Sequence, residues 1–320
     1  MRYLGISLFF LIYACLGEES SVLPPHTGAI NEVTIVIDDD IWAGASGDSL
    51  RQSLGAEVSG ISWVEPLFDI VQINRSAFSR IFRTHRNLII VQKGQQSKVY
   101  FDAKIYAQNQ WICVVEYQNP KDLPGLLGQY APIISYRIGQ KEQERYTTNL
   151  PPKIEVTAAK KLFNINFTLP KEYKLVLDTN QFVWLEYNPP DKEIIKGVFV
   201  YEYPASTFFN SNTILTSRDS VLQLFVLGSF PASFMTTEHL YPPHISTITH
   251  NNFQGLKVKG LWKMQNAFMG GSFVSFFLKD TINDRVIVVE GFLFNPGKAK
   301  RNSLQELEWL ISDFKIRTSS

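Results

Sequence analysis

The sequence predicts an α+β fold with mixed, largely antiparallel sheets and packed helices, divided into two halves of similar size. Strand-like and helix-like segments alternate along the 320 residues without the regular βαβ rhythm of a parallel sheet. Apolar residues make up 45% of the chain, which is enough for a large core. No internal repeat of roughly 20–50 residues indicates a solenoid or a propeller.

The first fifteen residues have the pattern of a lipoprotein signal peptide. Arg2 is followed by an apolar run over residues 4–14, which is too short for a bilayer span of about 20 residues. The run ends at Ala14, directly before Cys15. A small residue followed by cysteine is typical of a bacterial lipobox, in which the thiol is acylated and becomes the new N-terminus. We therefore predict lipidation of Cys15; the alternative is an ordinary secretory signal that is cut near Ser20 and removes this cysteine.

The predicted export signal indicates that the protein belongs to the cell envelope. Several acyl chains on one cysteine anchor a protein stably, so we expect an outer-membrane lipoprotein that faces the periplasm or the cell surface. Residues 16–29 are acidic at first and then contain serine and proline, without an apolar period. This segment is expected to be a flexible tether.

Residues 30–150 are predicted to form the N-terminal half, because two prolines in residues 147–153 end a helix there. A long helix over residues 124–146 is expected to be interrupted at Pro132. The last three strand candidates are too close together for crossover helices, so we expect them to be antiparallel. The apolar patterns predict strands at residues 33–37, 67–73, 88–92, 98–103 and 110–117, and helices from residue 41 or 46 to residue 54 and at residues 75–83.

Residues 151–320 are predicted to form the C-terminal half. Ser217 is placed as the N-cap of a helix over residues 217–227. Ser303 is placed as the cap of a closing helix over residues 303–314, with Glu306 at the capping-box spacing. The other patterns predict a helix at residues 155–163, strands at residues 173–177, 182–187 and 197–203, and an antiparallel meander at residues 256–263, 272–278 and 285–294.

Charge and cysteine content exclude several classes of function. The net charge of +1 leaves no concentrated basic face, so we expect no nucleic-acid partner. Once Cys15 is acylated, Cys113 has no intrachain partner, and its apolar strand indicates a packed, unreactive thiol. The sequence has no Gly-x-Ser-x-Gly motif, P-loop or dinucleotide fingerprint, and we expect no cofactor.

Six segments carry a resemblance to a known family. The chain resembles an uncharacterised lipoprotein family of the Bacteroidota, described as domain of unknown function 4837, in the strings NEVTIVIDDDIWAGASGDSLR, EPLFDIVQI, HRNLIIV, FVWLEY, GLWKMQNAFMGGSFVSF and EGFLFNPGKAKR. These strings follow the family's order and span almost the entire mature chain. The chain departs from the family's pattern at Ser272, where a proline is more usual after the paired glycines. The resemblance implies the location and the phylum, and it implies no activity.

Three glutamates interrupt apolar strands and are the candidate catalytic residues: Glu186, Glu202 and Glu290. A carboxyl group in an apolar pocket has a raised pKa and acts as a general acid, with a second carboxylate as base or nucleophile, as in glycoside hydrolysis. Glu290 has the most apolar surroundings. One alternative is that each glutamate points outward from a half-buried sheet. Another is an ion pair between a buried glutamate and Arg285, Lys263 or Arg301.

Three histidines are the candidate metal ligands. His239, His244 and His250 fall in one loop-rich stretch, with Glu238 beside the first, and together they offer the donors of a zinc site. No pair has the one-turn spacing of the helical His-Glu-x-x-His motif, and two prolines fix an extended segment between the first two histidines. We therefore favour scattered surface histidines.

The consecutive carboxylates Asp38, Asp39 and Asp40 follow the first strand. Oxygen ligands of this kind suit calcium or magnesium. Adjacent aspartates on an extended chain point to opposite sides, so we interpret them instead as capping the next helix and complementing its dipole.

Aromatic side chains concentrate in the middle of the C-terminal half. Trp184, Tyr187 and Tyr201 are the candidate binding residues, because exposed aromatic rings stack against sugars or dock proteins. In residues 197–203 the aromatic positions share one face of the strand and the valines share the other, so either face is a candidate for the core. Tyr203, Phe208 and Phe209 belong to the same cluster.

We therefore expect a tethered, non-catalytic binding or assembly module. Its expected partners are the membrane, through the lipid anchor, and an envelope protein or a glycan. One alternative is an envelope hydrolase that acts on glycan or peptide through strand carboxylates. A third is a carrier of a small ligand or lipid. Two carboxylates in one pocket, a flat aromatic patch or an enclosed apolar cavity would distinguish these hypotheses.

Overall fold

The computed structural model describes residues 22–101, 106–207, 210 and 213–317. The predicted signal peptide and Cys15 therefore lie outside the described residues, as do Phe208 and Phe209. The described residues contain helices and strands in an irregular order, which confirms the α+β class. The helices are α1 (Asp39–Ala43), α2 (Ala45–Leu54), α3 (Arg80–Arg83), α4 (Leu123–Thr148), α5 (Thr157–Phe163), α6 (Thr213–Phe225) and α7 (Arg301–Ile311). The strands are β1 (Glu32–Val36), β2 (Asp69–Ile73), β3 (Asn87–Lys93), β4 (Lys98–Phe101), β5 (Trp111–Tyr117), β6 (Lys153–Glu155), β7 (Ile165–Asn166), β8 (Thr168–Pro170), β9 (Lys174–Asp178), β10 (Phe182–Tyr187), β11 (Ile195–Pro204), β12 (Phe234–Thr237), β13 (His244–His250), β14 (Phe253–Gln265), β15 (Gly270–Asp280), β16 (Arg285–Phe294) and β17 (Lys315–Ile316).

Five strands of the N-terminal half form one sheet in the order β2-β1-β3-β5-β4. β1 is parallel to β2 and β3, β3 is parallel to β5, and β4 is antiparallel to β5. The prediction that β3, β4 and β5 are all antiparallel is therefore wrong for β3 and β5. The short β4 runs back along the outer edge of β5, so a reversed strand returns the chain in place of a crossover helix.

The long helix α4 is continuous, so the predicted interruption at Pro132 is wrong. Pro132 is exposed, whereas Leu127, Ala131, Ile134 and Ile138 are buried in the core of the N-terminal half. A proline inside a helix costs about 3 kcal/mol through the lost hydrogen bond. Burial of the apolar face of the helix offsets this cost. Although α4 is long, neither it nor any other helix of the described residues is apolar enough to cross a membrane.

The C-terminal half is built on an antiparallel sheet of eight strands with both faces buried. Seven strands follow the order β12-β14-β15-β16-β11-β10-β9, and β13 also pairs with β14. The predicted meander of β14, β15 and β16 is confirmed. In β11, Val198 and Val200 pack with α5 and α7, while Phe199 and Tyr201 pack with α6. Both faces of this strand therefore belong to the core.

Two element boundaries in this half differ from the prediction. α6 begins at Thr213, so Ser217 lies inside the helix and is not its N-cap. The histidine-containing segment predicted as loop contains the strand β13, because its backbone pairs with β14 along its full length. Tertiary pairing of this kind overrides a weak local pattern.

The N-terminus of α7 is capped from the other half of the molecule. The Glu65 carboxylate accepts hydrogen bonds from the backbone N–H groups of Lys300, at 2.7 Å, and Arg301, at 3.0 Å. The helix therefore begins at Arg301, and the prediction that Ser303 caps it is wrong. A carboxylate at this position also complements the helix dipole.

Side chains of the two halves form further contacts at the same place. The Arg301 guanidinium makes two hydrogen bonds to the Asp69 carboxylate, at 3.1 and 2.5 Å. The Asn31 amide donates to the side chains of Asn302, at 2.9 Å, and Gln305, at 2.6 Å. These contacts dock α7 against the N-terminal ends of β1 and β2.

Candidate functional site in the cleft between the two halves

The candidate site is a cleft of about 560 Å³ where the two halves meet. This volume lies within the range of small-molecule sites, which run from about 300 to 1,000 Å³ and often lie between domains. The C-terminal end of α4 and the segment before β3 form one side. The turn between β8 and β9, strands β10 and β11, and α7 form the other side.

A buried network of ion pairs forms the floor of the cleft on the N-terminal side. The Glu142 carboxylate accepts hydrogen bonds from Arg86 at 2.6 Å, Asn87 at 2.7 Å and Arg145 at 2.8 Å. Arg145 also donates to the Asn87 side chain at 2.9 Å. Glu142 and Arg145 are three residues apart on α4 and so lie on the same side of the helix. Arg86 and Asn87 stand at the start of β3, which fixes their backbones.

The network is charged and almost free of solvent. Glu142 and Arg145 are 1% and 2% exposed. Burial lowers the pKa of Arg145 to about 10, and the nearby Glu142 opposes this shift. The guanidinium therefore remains protonated at neutral pH. Because Glu142 is held by three donors, its charge is compensated within the protein.

Three buried polar atoms at the cleft have no hydrogen-bond partner among the described residues. They are Nε of Arg86, Nδ1 of His26 and Oε2 of Glu172, and all three residues line the cleft. Most buried polar groups are hydrogen-bonded, so unpaired ones need an explanation such as a ligand or a water molecule. Burial, followed by repulsion from Arg145 and Arg86, lowers the pKa of His26, which favours its neutral form.

Aromatic rings form the walls of the cleft in two pairs. The rings of Tyr146 and Trp309 are 5.6 Å apart, and those of Tyr173 and Tyr187 are 5.8 Å apart. Burial raises the pKa of Tyr146 and of Tyr173, so both phenols stay neutral and remain hydrogen-bond donors. The first pair joins α4 to α7 across the cleft, and the second lies within the C-terminal half.

The cleft combines unpaired polar atoms with aromatic walls. It offers an unpaired donor at Arg86 and an unpaired acceptor at Glu172, between two aromatic pairs. Ligands with alternating hydroxyl groups and apolar faces match this combination. Within the described residues, no group of three or more His, Cys, Asp or Glu side chains is placed to hold a metal ion.

The structure places two of the candidate catalytic glutamates in ion pairs on opposite faces of the C-terminal sheet. Glu290 is fully buried; it binds the Arg218 guanidinium at 2.7 Å and accepts a hydrogen bond from Ser275 at 2.5 Å. Glu202 pairs with Arg285 at 2.6 Å. Strand register places Glu202 opposite Ile287, on the α7 face, and Glu290 opposite Phe199, on the α6 face. These two carboxylates therefore do not meet.

The third glutamate lies apart from both. Glu186 is at the end of β10, lines a second cavity on the α6 face, and accepts a hydrogen bond from Asn188 at 3.2 Å. Burial raises its pKa, and the bond from Asn188 opposes this shift.

The three candidate histidines occupy separate places. His239 is exposed and contacts Asp219 at 3.0 Å. His244 is exposed at the start of β13, and His250 at its end stacks on Phe314 with the ring centres 4.8 Å apart.

The three candidate aromatic residues also lie in different surroundings. Tyr187 lines the cleft between the halves. Trp184 lines the second cavity. Tyr201 is buried in the core, where its ring packs on Phe182 with the centres 5.7 Å apart.

The structure also defines the surroundings of Cys113 and of the three consecutive aspartates. Burial raises the pKa of the Cys113 thiol to about 12, so the thiol is neutral at physiological pH. Asp38 occupies the N-cap position of α1 without a side-chain hydrogen bond, and Asp39 and Asp40 lie in the first turn. The amide of Gln72 donates to Asp39 at 2.9 Å.

Sequence reasoning missed the residues that line the floor of the cleft. Glu142 and Arg145 belong to a charged stretch at the end of α4. Such stretches usually indicate a solvent-exposed helix face. The signal that distinguishes them is spacing: Ile134, Ile138 and Glu142 follow each other at four-residue intervals, so Glu142 continues the buried stripe of the helix. No pattern in the sequence marks Arg86 or Glu172.

Comparisons with known proteins give two family models and remote structural similarity. A model described as a domain of unknown function, DUF4837, matches residues 153–312, and one described as a domain of unknown function, DUF8532, matches residues 26–150. Curated protein sequences gave no match. The solved structure of the Ran-binding protein Mog1p of Saccharomyces cerevisiae is 10% identical, with a TM-score of 0.35 over 52% of this chain and 94% of that one. LpqN of Mycobacterium tuberculosis, described as involved in cell envelope biogenesis, is 11% identical, with a TM-score of 0.26 over 47% of this chain and 80% of that one.

Proposed function

The chain belongs to the DUF4837 family, a domain of unknown function, and we propose that it is a non-catalytic binding module whose cleft takes a short glycan. The observation that carries this proposal is the set of three buried, unpaired polar atoms of Arg86, His26 and Glu172 at one cleft. Such atoms cost free energy unless a ligand or water satisfies them.

A sugar ring satisfies the cleft as a whole. Each hydroxyl group both donates and accepts, so one sugar hydroxyl donates to Glu172 while another accepts from Arg86. The apolar face of the ring packs against aromatic walls such as the Tyr173–Tyr187 pair. Charges of both signs line the cleft, Glu142 and Glu172 together with Arg86, Arg145 and Lys196, which suits a neutral polar ligand.

The cleft offers little for acid–base catalysis, which supports a binding role. Glu142 is 1% exposed and accepts hydrogen bonds from Arg86, Asn87 and Arg145, so its carboxylate is engaged within the protein. Glu186, Glu202 and Glu290 do not line this cleft. A hydrolase would need two carboxylates free to act on either side of one substrate bond, whereas Glu142, which lines the cleft with Glu172, is bound by Arg86 and Arg145.

The substitution Glu172→Gln tests the glycan site. The amide keeps the size of the side chain, and the carboxylate has no hydrogen bond to lose within the described residues. A hydrogen bond to a charged group contributes about 1.5–3 kcal/mol, so we expect the affinity for a bound oligosaccharide to fall at least about tenfold. Isothermal titration calorimetry with neutral di- and trisaccharides measures this directly.

Glu193→Gln is the matched control for this experiment. Glu193 is an exposed glutamate outside the cleft, so its substitution is expected to leave saccharide affinity unchanged. If no saccharide binds, or if both variants bind as the unsubstituted protein does, the cleft is not a glycan site. Hydrolysis of a bound saccharide would contradict the non-catalytic part of the proposal.

We further propose that the protein is held at the envelope membrane by a lipid on Cys15. The support is the apolar run of residues 4–14 that ends at Ala14 before this cysteine. Mass spectrometry of the protein purified from native membranes is expected to find an acylated N-terminal cysteine, and Cys15→Ser is expected to remove the protein from the membrane fraction. A mature chain that begins at Met1 or beyond Cys15 would rule out this anchor.

A further inference from the structure

A second cavity, of about 430 Å³, lies on the α6 face of the C-terminal sheet. It is separate from the cleft between the halves, which borders the α7 face of the same strands. In β10, Glu186 lines the second cavity and the next residue, Tyr187, lines the cleft. Alternation along the strand sends these neighbours to opposite faces. Ligand binding at this second cavity does not depend on a glycan in the cleft.

The walls of the second cavity are apolar and deformable. Aromatic rings form the base, where Trp262 meets Phe292 edge to face with the ring centres 5.5 Å apart. Gly197 makes room for Phe292, because a Cβ atom at Gly197 would lie 1.7 Å from that ring. Methionine side chains, which adapt to irregular shapes, complete the walls at Met235, Met264 and Met269.

Two buried polar groups line the cavity from different strands, Trp184 on β10 and Ser233 next to β12. The Nε1 atom of Trp184 and the Oγ atom of Ser233 are buried and have no hydrogen-bond partner among the described residues. Ser233 is 3% exposed. Both residues line the cavity, together with the Glu186 carboxyl group. An occupant therefore needs a long apolar part and a group that accepts a hydrogen bond.

Exposed apolar side chains surround the cavity. Leu227 and Phe230, which follow α6, are 65% and 64% exposed, and Phe268, in the turn between β14 and β15, is fully exposed. All three line the cavity. Clusters of exposed apolar side chains of this kind mark contact sites with membranes or with other proteins.

We propose that the second cavity binds the acyl chain of a neutral lipid, with the ester or amide carbonyl at Trp184 and the exposed rim in contact with a bilayer. The apolar wall accommodates the chain, and the unpaired Nε1–H group of Trp184 donates to the carbonyl oxygen. Glu186 selects against a free fatty-acid anion, because two carboxylates would then lie close together. Its carboxylate accepts a hydrogen bond from a hydroxyl of a neutral head group.

Tryptophan fluorescence tests this site, because bromine atoms on an acyl chain quench only tryptophans that they contact. The purified full chain is titrated at pH 8 with a monoacylglycerol that carries a brominated chain and with the fatty acid of the same chain. We expect saturable quenching by the ester and binding at least about tenfold weaker for the anion. Non-saturable quenching, or equal binding of ester and anion, would overturn the proposal.

Substitutions inside the cavity assign the quenching to this site. Trp184→Phe keeps an aromatic ring and removes the N–H donor, so both the quenched fraction and the affinity for the ester are expected to fall. Glu186→Gln is expected to reduce the preference for the ester over the anion. Circular dichroism establishes that both variants are folded. An unchanged titration in Trp184→Phe would overturn the proposal.

Substitutions on the rim distinguish contact with a membrane from contact with a protein partner. Phe268→Ser is expected to weaken binding to vesicles of neutral phospholipid, whereas Leu240→Ser is expected to leave it unchanged. Leu240 is the matched control because it is 82% exposed and does not line the cavity. Displacement of the brominated ester by an apolar helical peptide, at lower concentration than by unlabelled ester, would instead assign the cavity to a protein partner.

Discussion

Glu290 shows how a residue that looks catalytic in the sequence becomes structural in the fold. Its carboxylate is fully buried and is neutralised by Arg218, which also lies over the ring of Phe273 at 3.7 Å. Removal of one member of such a pair leaves an uncompensated charge in the core. The interaction of Glu290 with Arg218 therefore contributes to the stability of the sheet on which both cavities are built.

Glu290→Gln is expected to lower the free energy of unfolding by about 3–5 kcal/mol. Glu202→Gln is the matched control, because its ion pair with Arg285 is partly exposed and contributes about 1 kcal/mol or less. Urea denaturation followed by circular dichroism measures both values. Equal losses in the two variants would show that the buried pair contributes no more than the exposed one.

At the scale of single residues, the sequence predicted which side chains are buried better than it predicted their interaction partners. The apolar neighbours of Glu290 correctly indicated buried surroundings. Its partner Arg218 lies 72 residues away on a helix, and nothing local connects the two. The same holds for Glu172 and Arg86, which come together at the cleft only because the two halves dock.

At the scale of elements, α7 depends on a cap that is far away in the sequence. Glu65 binds the N–H groups of Lys300 and Arg301, which are the first free donors of the helix. The helix therefore forms its first turn against the N-terminal half.

Glu65→Ala is expected to lower the free energy of unfolding by about 0.5–2 kcal/mol, as the loss of other helix caps does. Glu65→Gln is expected to cost less, because its amide oxygen still accepts one hydrogen bond. Hydrogen exchange in residues 301–311 is expected to accelerate in the alanine variant. Glu57→Ala, at an exposed site nearby, serves as the control, and equal exchange in both variants would contradict the capping role.

Elements with strong internal periodicity were predictable, and their ends were predictable only where the local sequence sets them. Residues 182–187 and 285–294 are strands with the predicted boundaries, because their apolar runs stop where the strands stop. The start of α7 was misplaced because its cap is supplied by Glu65 and not by Ser303. The continuity of α4 through Pro132 was missed because buried packing, and not local propensity, decides it.

At the scale of the whole molecule, two sheets with different topologies are held together by α4, α7 and the contacts between them. The boundary predicted at residues 147–153 falls at the end of α4. The parallel pairing of β3 and β5 was not predictable from spacing, since β4 replaces the usual crossover helix. The cleft was not predictable either, because its lining comes from seven separate stretches of the chain.

The docking of the halves predicts one cooperative unfolding transition for the intact chain. Circular dichroism and tryptophan fluorescence are expected to give coincident urea curves. Asp69→Ala removes the partner of Arg301 at the contact between the halves and is expected to shift both curves together. Two separate transitions, with only one of them shifted, would show that the halves unfold independently.

The short strand β10 borders both the cleft and the second cavity. Glu186 lines the second cavity and the next residue, Tyr187, lines the cleft, so the same short backbone segment borders both proposed ligand sites. A ligand that immobilises this segment lowers the entropic cost of the second binding event. By thermodynamic reciprocity, the factor by which a sugar strengthens lipid binding equals the factor by which the lipid strengthens sugar binding. A single thermodynamic cycle therefore links the two titrations, and a strand only six residues long would act as the allosteric connection.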